Sequence, residues 1–189
     1  MAGRVEIVAA TGERWRDLAA LFGPRGACAG CWCMYWPRER AAFEAGKGPG
    51  NRRALRRLVA AGRTPGLLAY RDGRPVGWVA LGPRGDFPRL ARSRVLAPVD
   101  GQPVWSIVCL FVVRDARRQG LSVELIRAAC RHARRHGARL VEAYPVEPRA
   151  GEVPPAFAWT GIASGFRDAG FSEVARRSPT RPIMRRAPG

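Results

Sequence analysis

Lysine is almost missing from this chain of 189 residues: Lys47 is the only one, although Lys and Arg together number 33. Asparagine is as scarce, with Asn51 alone. Beside abundant Ala, Gly, Pro and Arg, these gaps point to a GC-rich coding sequence, which supplies Arg codons in place of Lys. Codon supply does not explain the shortage of acid. Only 15 Asp and Glu oppose the basic residues, and the net charge is +18. A field of that size attracts polyanions. Nonspecific nucleic-acid binding is the expectation for a soluble basic protein, and a dedicated polyanionic substrate or partner stays open beside it.

Long apolar runs are missing too. None approaches the ~20 residues of a membrane-spanning helix, so no membrane partner is expected. The first residues, Met-Ala-Gly-Arg-Val-Glu-Ile-Val, lack the shape of a signal peptide, and a cytoplasmic location is the default. Histidine is limited to His132 and His136. The cysteines Cys28, Cys31, Cys33, Cys109 and Cys130 are odd in number, and two fall in expected core elements. Reduced thiols fit that better than a disulfide framework. Cys28, Cys31 and Cys33 form a C-x2-C-x-C group, but structural zinc usually needs four ligands and both histidines are far away, so no metal is expected. Redox chemistry through Cys28 and Cys31 lacks the βαβ setting of thioredoxin-like motifs.

What is present is a core and one organising stretch. Hydrophobic residues make up 47% of the chain. The length suits one domain, and no repeat or linker marks a boundary within 1–189. From Val104 to Val113 the sequence is apolar and β-rich, as a buried central strand requires. A basic turn follows, Arg114 to Ser122, and then a helical pattern to His136, with Ser122, Ile126, Ala129, Cys130 and Ala133 on one face and arginines opposite. Gly137 is placed to end it. The first amides of a helix have no internal partners and attract anions. Gly120 lets the backbone approach closely, and Arg117 and Arg118 add positive charge, so this turn is a candidate phosphate or pyrophosphate site. Many ordinary strand–helix connections have the same look.

Upstream, Val5–Ala9 reads as a strand, and Thr11 is placed to cap a helix from Glu13 to Phe22. Residues 28–37 are a Cys/Trp-rich loop. Arg38–Ala45 reads as a short helix, and Asn51 as the cap of another, Arg52 to Ala61. Leu67–Tyr70 and Val76–Leu81 flank Asp72-Gly73, a hairpin turn signal. Residues 82–104 form a long loop, of the length often used for lids or binding. Downstream, Arg139–Tyr144 reads as a strand and Trp159–Ala169 as a short helix, with Pro145, Pro148, Pro154 and Pro155 breaking regular structure between them. Ser172–Arg177 and Ile183–Arg185 read as final strands.

Arg117-Arg118-Gln119-Gly120-Leu121-Ser122 resembles the (Gln/Arg)-x-x-Gly-x-(Gly/Ala) signature of the GNAT N-acetyltransferase superfamily, with Ser122 in place of the last Gly/Ala. Phe166-Arg167-Asp168-Ala169-Gly170-Phe171 resembles the short helix and Gly-Phe that open that fold's last strands. The resemblance implies an α/β (α+β) fold: a mixed, mostly antiparallel central sheet with helices on both faces. It implies an acyl-CoA-dependent N-acetyltransferase, with acetyl-CoA as co-substrate and no metal. Amides near Leu110, Phe111 and Val112 would hold pantetheine and polarise the thioester. Those of Gln119, Gly120, Leu121, Ser122 and Val123 would hold the pyrophosphate, supported by Arg117 and Arg118. Phe166 stands on the cofactor side where many members carry a tyrosine as general acid. The Cys/Trp-rich loop and the long loop would border the acceptor, which nominates Trp32, Tyr35, Trp36 and Asp86. Candidate catalytic groups are Glu142 as base, Tyr144 as acid, and Ser106 near the place where some members have a glutamate. Ion pairing for Glu142 and packing for Tyr144 are the competing readings. The acceptor is read first as a primary amine on a small molecule. The alternatives are an aminoacyl-tRNA or other nucleic-acid-bound amine, and a non-catalytic basic binding protein on the same fold. A monomer or homodimer fits either.

Overall fold

A computed structural model of the protein describes residues 4–148 and 158–188. The expected prolines at 154 and 155 lie outside the described residues. Among these residues seven strands form one sheet in the order β1-β2-β3-β4-β5-β7-β6: β1 Val5–Ala9, β2 Gly66–Arg71, β3 Arg74–Pro83, β4 Trp105–Val112, β5 Val141–Ala143, β6 Ser172–Arg176 and β7 Pro182–Arg186. All neighbours run antiparallel except β4 and β5. The β2–β3 hairpin turns through Asp72 at φ +50° and Gly73 at φ +77°, the two left-handed residues that match strand twist.

Among the described residues there are six α-helices: α1 Trp15–Phe22, α2 Arg40–Ala45, α3 Pro49–Ala60, α4 Pro88–Ala91, α5 Leu121–Arg135 and α6 Ala163–Asp168. Two hydrophobic layers result. Leu67, Val79, Ile107 and Leu110 meet Leu121, Leu125, Ile126 and Phe166 on one face. Leu68, Trp78, Val108 and Cys109 meet Leu18, Phe22, Leu55 and the aromatic loop on the other. The mostly antiparallel sheet with helices on both faces is the architecture the resemblance implied.

Several local expectations shift. The first helix opens as a 3-10 turn, Gly12–Arg14, and Thr11 does not cap the backbone; its Oγ1 accepts from Arg14 Nη1 at 3.2 Å. α3 begins at Pro49 rather than after Asn51, because proline's fixed φ suits the first helical position. Asn51 is thereby buried in the first turn, where it accepts from Arg38 (2.7 Å) and donates to the carbonyls of Gly30 (3.2 Å) and Phe43 (3.3 Å). On α5 the inward stripe starts at Leu121 and Leu125, and Ser122 is exposed. Two leucines each contribute about 2 kcal/mol on burial, against nothing comparable from a serine. The last parallel-paired strand and α6 are shorter than expected, and residues 82–104 hold a 3-10 turn, Arg84–Asp86, and α4.

Candidate active site

Strand β5 ends early and thereby opens the sheet. It pairs with β4 only from Trp105–Ile107 to Val141–Ala143. Pro145 follows and has no N–H to continue the ladder, while β4 runs on to Val112. Opposite Ala80 and Leu81, β4 also carries one extra residue, Val108, a bulge that sharpens its twist. The unpaired half of β4 faces a cleft of about 1140 Å³. Leu110, Phe111 and Val112 line it from β4, Arg114, Arg117, Arg118 and Gly120 contribute the turn, Leu121 to Val123 the start of α5, and Trp159, Gly161 and Gly165 stand across. Ala27 and Cys28 close one end.

The turn is shaped as an anion seat. Arg118 at φ +58° and Gly120 at φ +77° are both left-handed, and a Cβ on Gly120 would meet nothing within 4 Å. Successive amides in such a turn converge on one point. No side chain caps α5, so the amides of Leu121 and Ser122 remain available for an anion. Arg117 Nε donates to the Val112 carbonyl at 2.9 Å and pins the turn to β4. Gln119 is absent from the cleft lining; it accepts from Arg71 at 2.5 Å and donates to the Asp115 carbonyl at 2.9 Å, tying the turn to β2.

Two expected cofactor residues behave differently. The Leu110 amide donates to the Trp159 carbonyl at 2.7 Å, so the donor is aimed across the cleft and carries a protein partner. Phe166 is fully buried behind the wall, 5.2 Å centroid to centroid from Phe171. A Cβ on Gly161 would come within 2.6 Å of Phe166, which is why the crossing turn carries glycine there.

Glu142, Tyr144 and Ser106 are brought together, but away from this cleft: none of them lines it. All three are fully buried. Tyr144 donates to Glu142 at 2.6 Å, lies 2.8 Å from Ser106 Oγ, and accepts from Arg84 at 2.5 Å. Arg84 also donates to Glu142 at 2.9 Å, and Arg185 Nε binds the second carboxylate oxygen at 2.7 Å. Arg185 continues to Asp100 at 2.6 and 3.0 Å. Burial first, and the Glu142 charge second, raise the Tyr144 phenol well above its usual range. The geometry is that of ion pairing, and its arginines come from the 82–104 segment and β7, where sequence spacing gives no hint of them.

The aromatic candidates already have internal partners. Trp32 is buried, stacks on Trp15 and carries the Arg52 guanidinium 5.5 Å from its ring centre. Arg89 of α4 lies 3.6 Å from the Tyr35 ring centre, and Trp159 packs against both Tyr35 and Trp36. Asp86 pairs with Arg63 at 2.7 Å on the rim of a second cavity of about 320 Å³, whose walls include Cys33, Met34, Leu55, Trp78, Phe87 and Trp105. His132 and His136 of α5 also reach this cavity. His132 is 4% exposed, and its Nε2 has no partner. Burial, then the His136 and Arg135 charges, lower its pKa to about 4. Among the described residues no group of His, Cys, Asp or Glu is arranged to hold a metal, and no helix is long and apolar enough to cross a membrane.

Solved structures share this fold across nearly the whole chain. A GNAT-family acetyltransferase from Streptococcus agalactiae superposes with TM-score 0.58 at 12% identity, covering 99% of this chain and 97% of that one. The PaiA N-acetyltransferase from Thermoplasma acidophilum, solved with coenzyme A, gives 0.52 at 12%, covering 97% and 99%. The diaminobutyrate acetyltransferase from Paenibacillus lautus, solved with L-2,4-diaminobutyric acid and coenzyme A, gives 0.51 at 12%, covering 98% and 96%. Comparison with curated proteins found no match. The profile of the acetyltransferase (GNAT) family matches residues 28–152, most of the chain, with β4, the turn and α5 inside the match. With a sheet splayed beside a basic helix start, and the family's own sequence pattern running through both, the chain belongs to the acetyltransferase (GNAT) family.

Proposed function

We propose that the protein transfers the acetyl group of acetyl-CoA to a primary amine of a small molecule. The observation that carries this reading is the cleft itself: an unpaired β4 edge leading to the uncapped start of α5 within one continuous space. The cleft residues fit coenzyme A. The Leu121 and Ser122 amides, with Arg117 and Arg118 beside them, would hold a pyrophosphate. The β4 edge offers backbone groups to an amide-containing arm, and Leu110 would exchange the Trp159 carbonyl for such an arm or for the thioester oxygen. Acetyl-CoA supplies an activated acyl group and a thiolate leaving group.

The protein's contribution is placement. Holding acyl carbon and amine together accounts for much of such a rate enhancement, and a backbone N–H at the developing oxyanion adds to it. Amine attack is direct, with its proton passing to water. Glu142 serves as an anchor for Arg84 and Arg185, and Tyr144 as a packed donor within that network. The acceptor enters at the smaller cavity. Its volume of about 320 Å³ suits a small molecule. The Arg63–Asp86 pair at its rim is exposed and holds weakly, so an incoming ammonium can replace Arg63 on Asp86, and it loses a proton to water before the neutral amine attacks.

Calorimetric titration of acetyl-CoA into the protein, with Gly120→Glu beside it, tests the donor site. Micromolar affinity in the wild type and none in the folded variant is the expected result. Equal affinity in both would overturn the assignment. A screen of small primary amines for coenzyme A release follows, and it is expected to show turnover with a higher KM in Asp86→Ala. Turnover only with an aminoacyl-tRNA would instead favour the reading that the net charge of +18 suggests.

A further inference from the structure

The loop between α1 and α2 is strained, and acetyl transfer makes no use of the strain. Four of its non-glycine residues have left-handed backbone: Ala27 at φ +68°, Ala29 at +47°, Trp32 at +46° and Cys33 at +53°. Each costs on the order of 1 kcal/mol or more. The conformation is held from outside, by Asn51 and the Gly48 amide on the Gly30 carbonyl and by Trp32 buried against Phe22. Its product is a set of thiols. Cys33 is turned inward onto β4, where its Sγ lies 3.3 Å from Cys109 Sγ, and both residues are buried. The Cys33 backbone N–H donates to Cys31 Sγ at 3.1 Å, and Cys31 is half-buried. The C-x2-C-x-C spacing alone did not point here, because the decisive sulfur arrives from a residue 76 positions later.

We propose that Cys33 and Cys109 are a disulfide-forming pair, with Cys31 as the thiol that meets the oxidant. Such a relay requires neighbouring thiols of unequal character: the Cys33 and Cys109 sulfurs touch, and Cys31 Sγ sits on the Cys33 backbone N–H. Hydrogen bonding from Cys33 lowers the Cys31 pKa to about 7, leaving a large thiolate fraction at neutral pH. Its bonds to Cys109 and Cys31, together with burial, push the Cys33 thiol up and keep it protonated until a neighbour reacts. Sulfurs 3.3 Å apart must close by about 1.3 Å to reach a disulfide length.

With a peroxide as oxidant the steps balance. The Cys31 thiolate attacks one peroxide oxygen, the O–O bond breaks, and with a proton from solvent one water leaves Cys31 as a sulfenic acid. Cys33 sulfur attacks the sulfenic sulfur and gives up its proton, and the hydroxyl departs as a second water. Cys109 sulfur then attacks Cys33, its proton passes to the departing Cys31 sulfur, and the bond moves to Cys33–Cys109. Overall two thiols lose two electrons and two protons to one hydrogen peroxide. The crosslink would fasten the α1–α2 loop to the strand lining the donor cleft. That loop touches the cleft through Ala27 and Cys28 and the smaller cavity through Cys33 and Met34.

The test uses the full chain, reduced and then treated with hydrogen peroxide, followed by proteolysis and mass spectrometry; it does not depend on the proposed reaction. The expected product joins the segment bearing Cys31 and Cys33 to the segment bearing Cys109, lighter by two hydrogens and separated again by dithiothreitol. Cys33→Ser and Cys109→Ser should each abolish it, and Cys28→Ser should leave it unchanged. Cys31→Ser should retain it but slow its formation about tenfold or more, through loss of the low-pKa thiolate. A wild-type product joining Cys28 to Cys31, or oxidation ending at sulfinic acid on Cys31 without a crosslink, would overturn the proposal. So would a Cys31→Ser rate equal to wild type. The wild-type map decides the first point even where a serine variant fails to fold.

Discussion

Removing the Glu142 carboxylate would leave Arg84 and Arg185 with donors facing the protein interior, since the acid binds one guanidinium through each oxygen. Breaking a buried pair in this way costs about 3–5 kcal/mol, largely from the stranded charge. Glu142→Gln is therefore expected to lower the urea midpoint strongly. A variant of unchanged stability that had lost kcat would restore Glu142 as a general base. His132 gives a pH signature. Its folded pKa of about 4 lies below the reference 6.5, so the unfolded chain binds a proton that the folded protein refuses. The contribution is complete above about pH 6.5 and is lost as pH falls toward 4. It is on the order of 3 kcal/mol. Urea unfolding from pH 7 to pH 4.5 should show a smaller loss in His132→Gln than in the wild type, and parallel losses would mean the imidazole finds a partner after all.

Helix α5 was legible in the sequence because its period, Gly120 at its start and Gly137 after its end all act locally. The hairpin at Asp72-Gly73 was legible for the same reason. On the inward face of α5, Ile126, Ala129, Cys130 and Ala133 are buried as expected, and only Ser122 was misplaced, because Leu121 and Leu125 have the area to bury. Gly77 of β3 sets how closely α5 sits: a Cβ there would meet Leu125 Cδ1 at 3.1 Å and Leu121 Cδ2 at 3.4 Å. Gly77→Val should push the start of α5 away from the sheet, costing about 1–3 kcal/mol by overpacking and weakening acetyl-CoA binding in the calorimeter. Full affinity in the variant would show that the anion seat does not depend on this packing. The thiol pair, the arginines around Glu142 and the Trp159 carbonyl were not legible, since each joins residues far apart in sequence through the topology of the sheet.

Over the whole molecule, a net charge of +18 should produce binding to duplex DNA of arbitrary sequence, with log K falling steeply against log salt. Fluorescence anisotropy between 50 and 200 mM salt checks this, and a shallow slope would imply that the charge is dispersed too widely to act together. Beyond the short β4–β5 ladder, one backbone contact spans the cleft. The Leu110 N–H is bound on the cleft side by the Trp159 carbonyl alone, from a turn whose indole also packs on Tyr35 and Trp36. Every departure of that turn exposes one amide in the middle of a core strand. Its deuterium uptake is then a clock for the gap between β4 and β5, running at the opening rate of the turn while its buried strand neighbours stay dark.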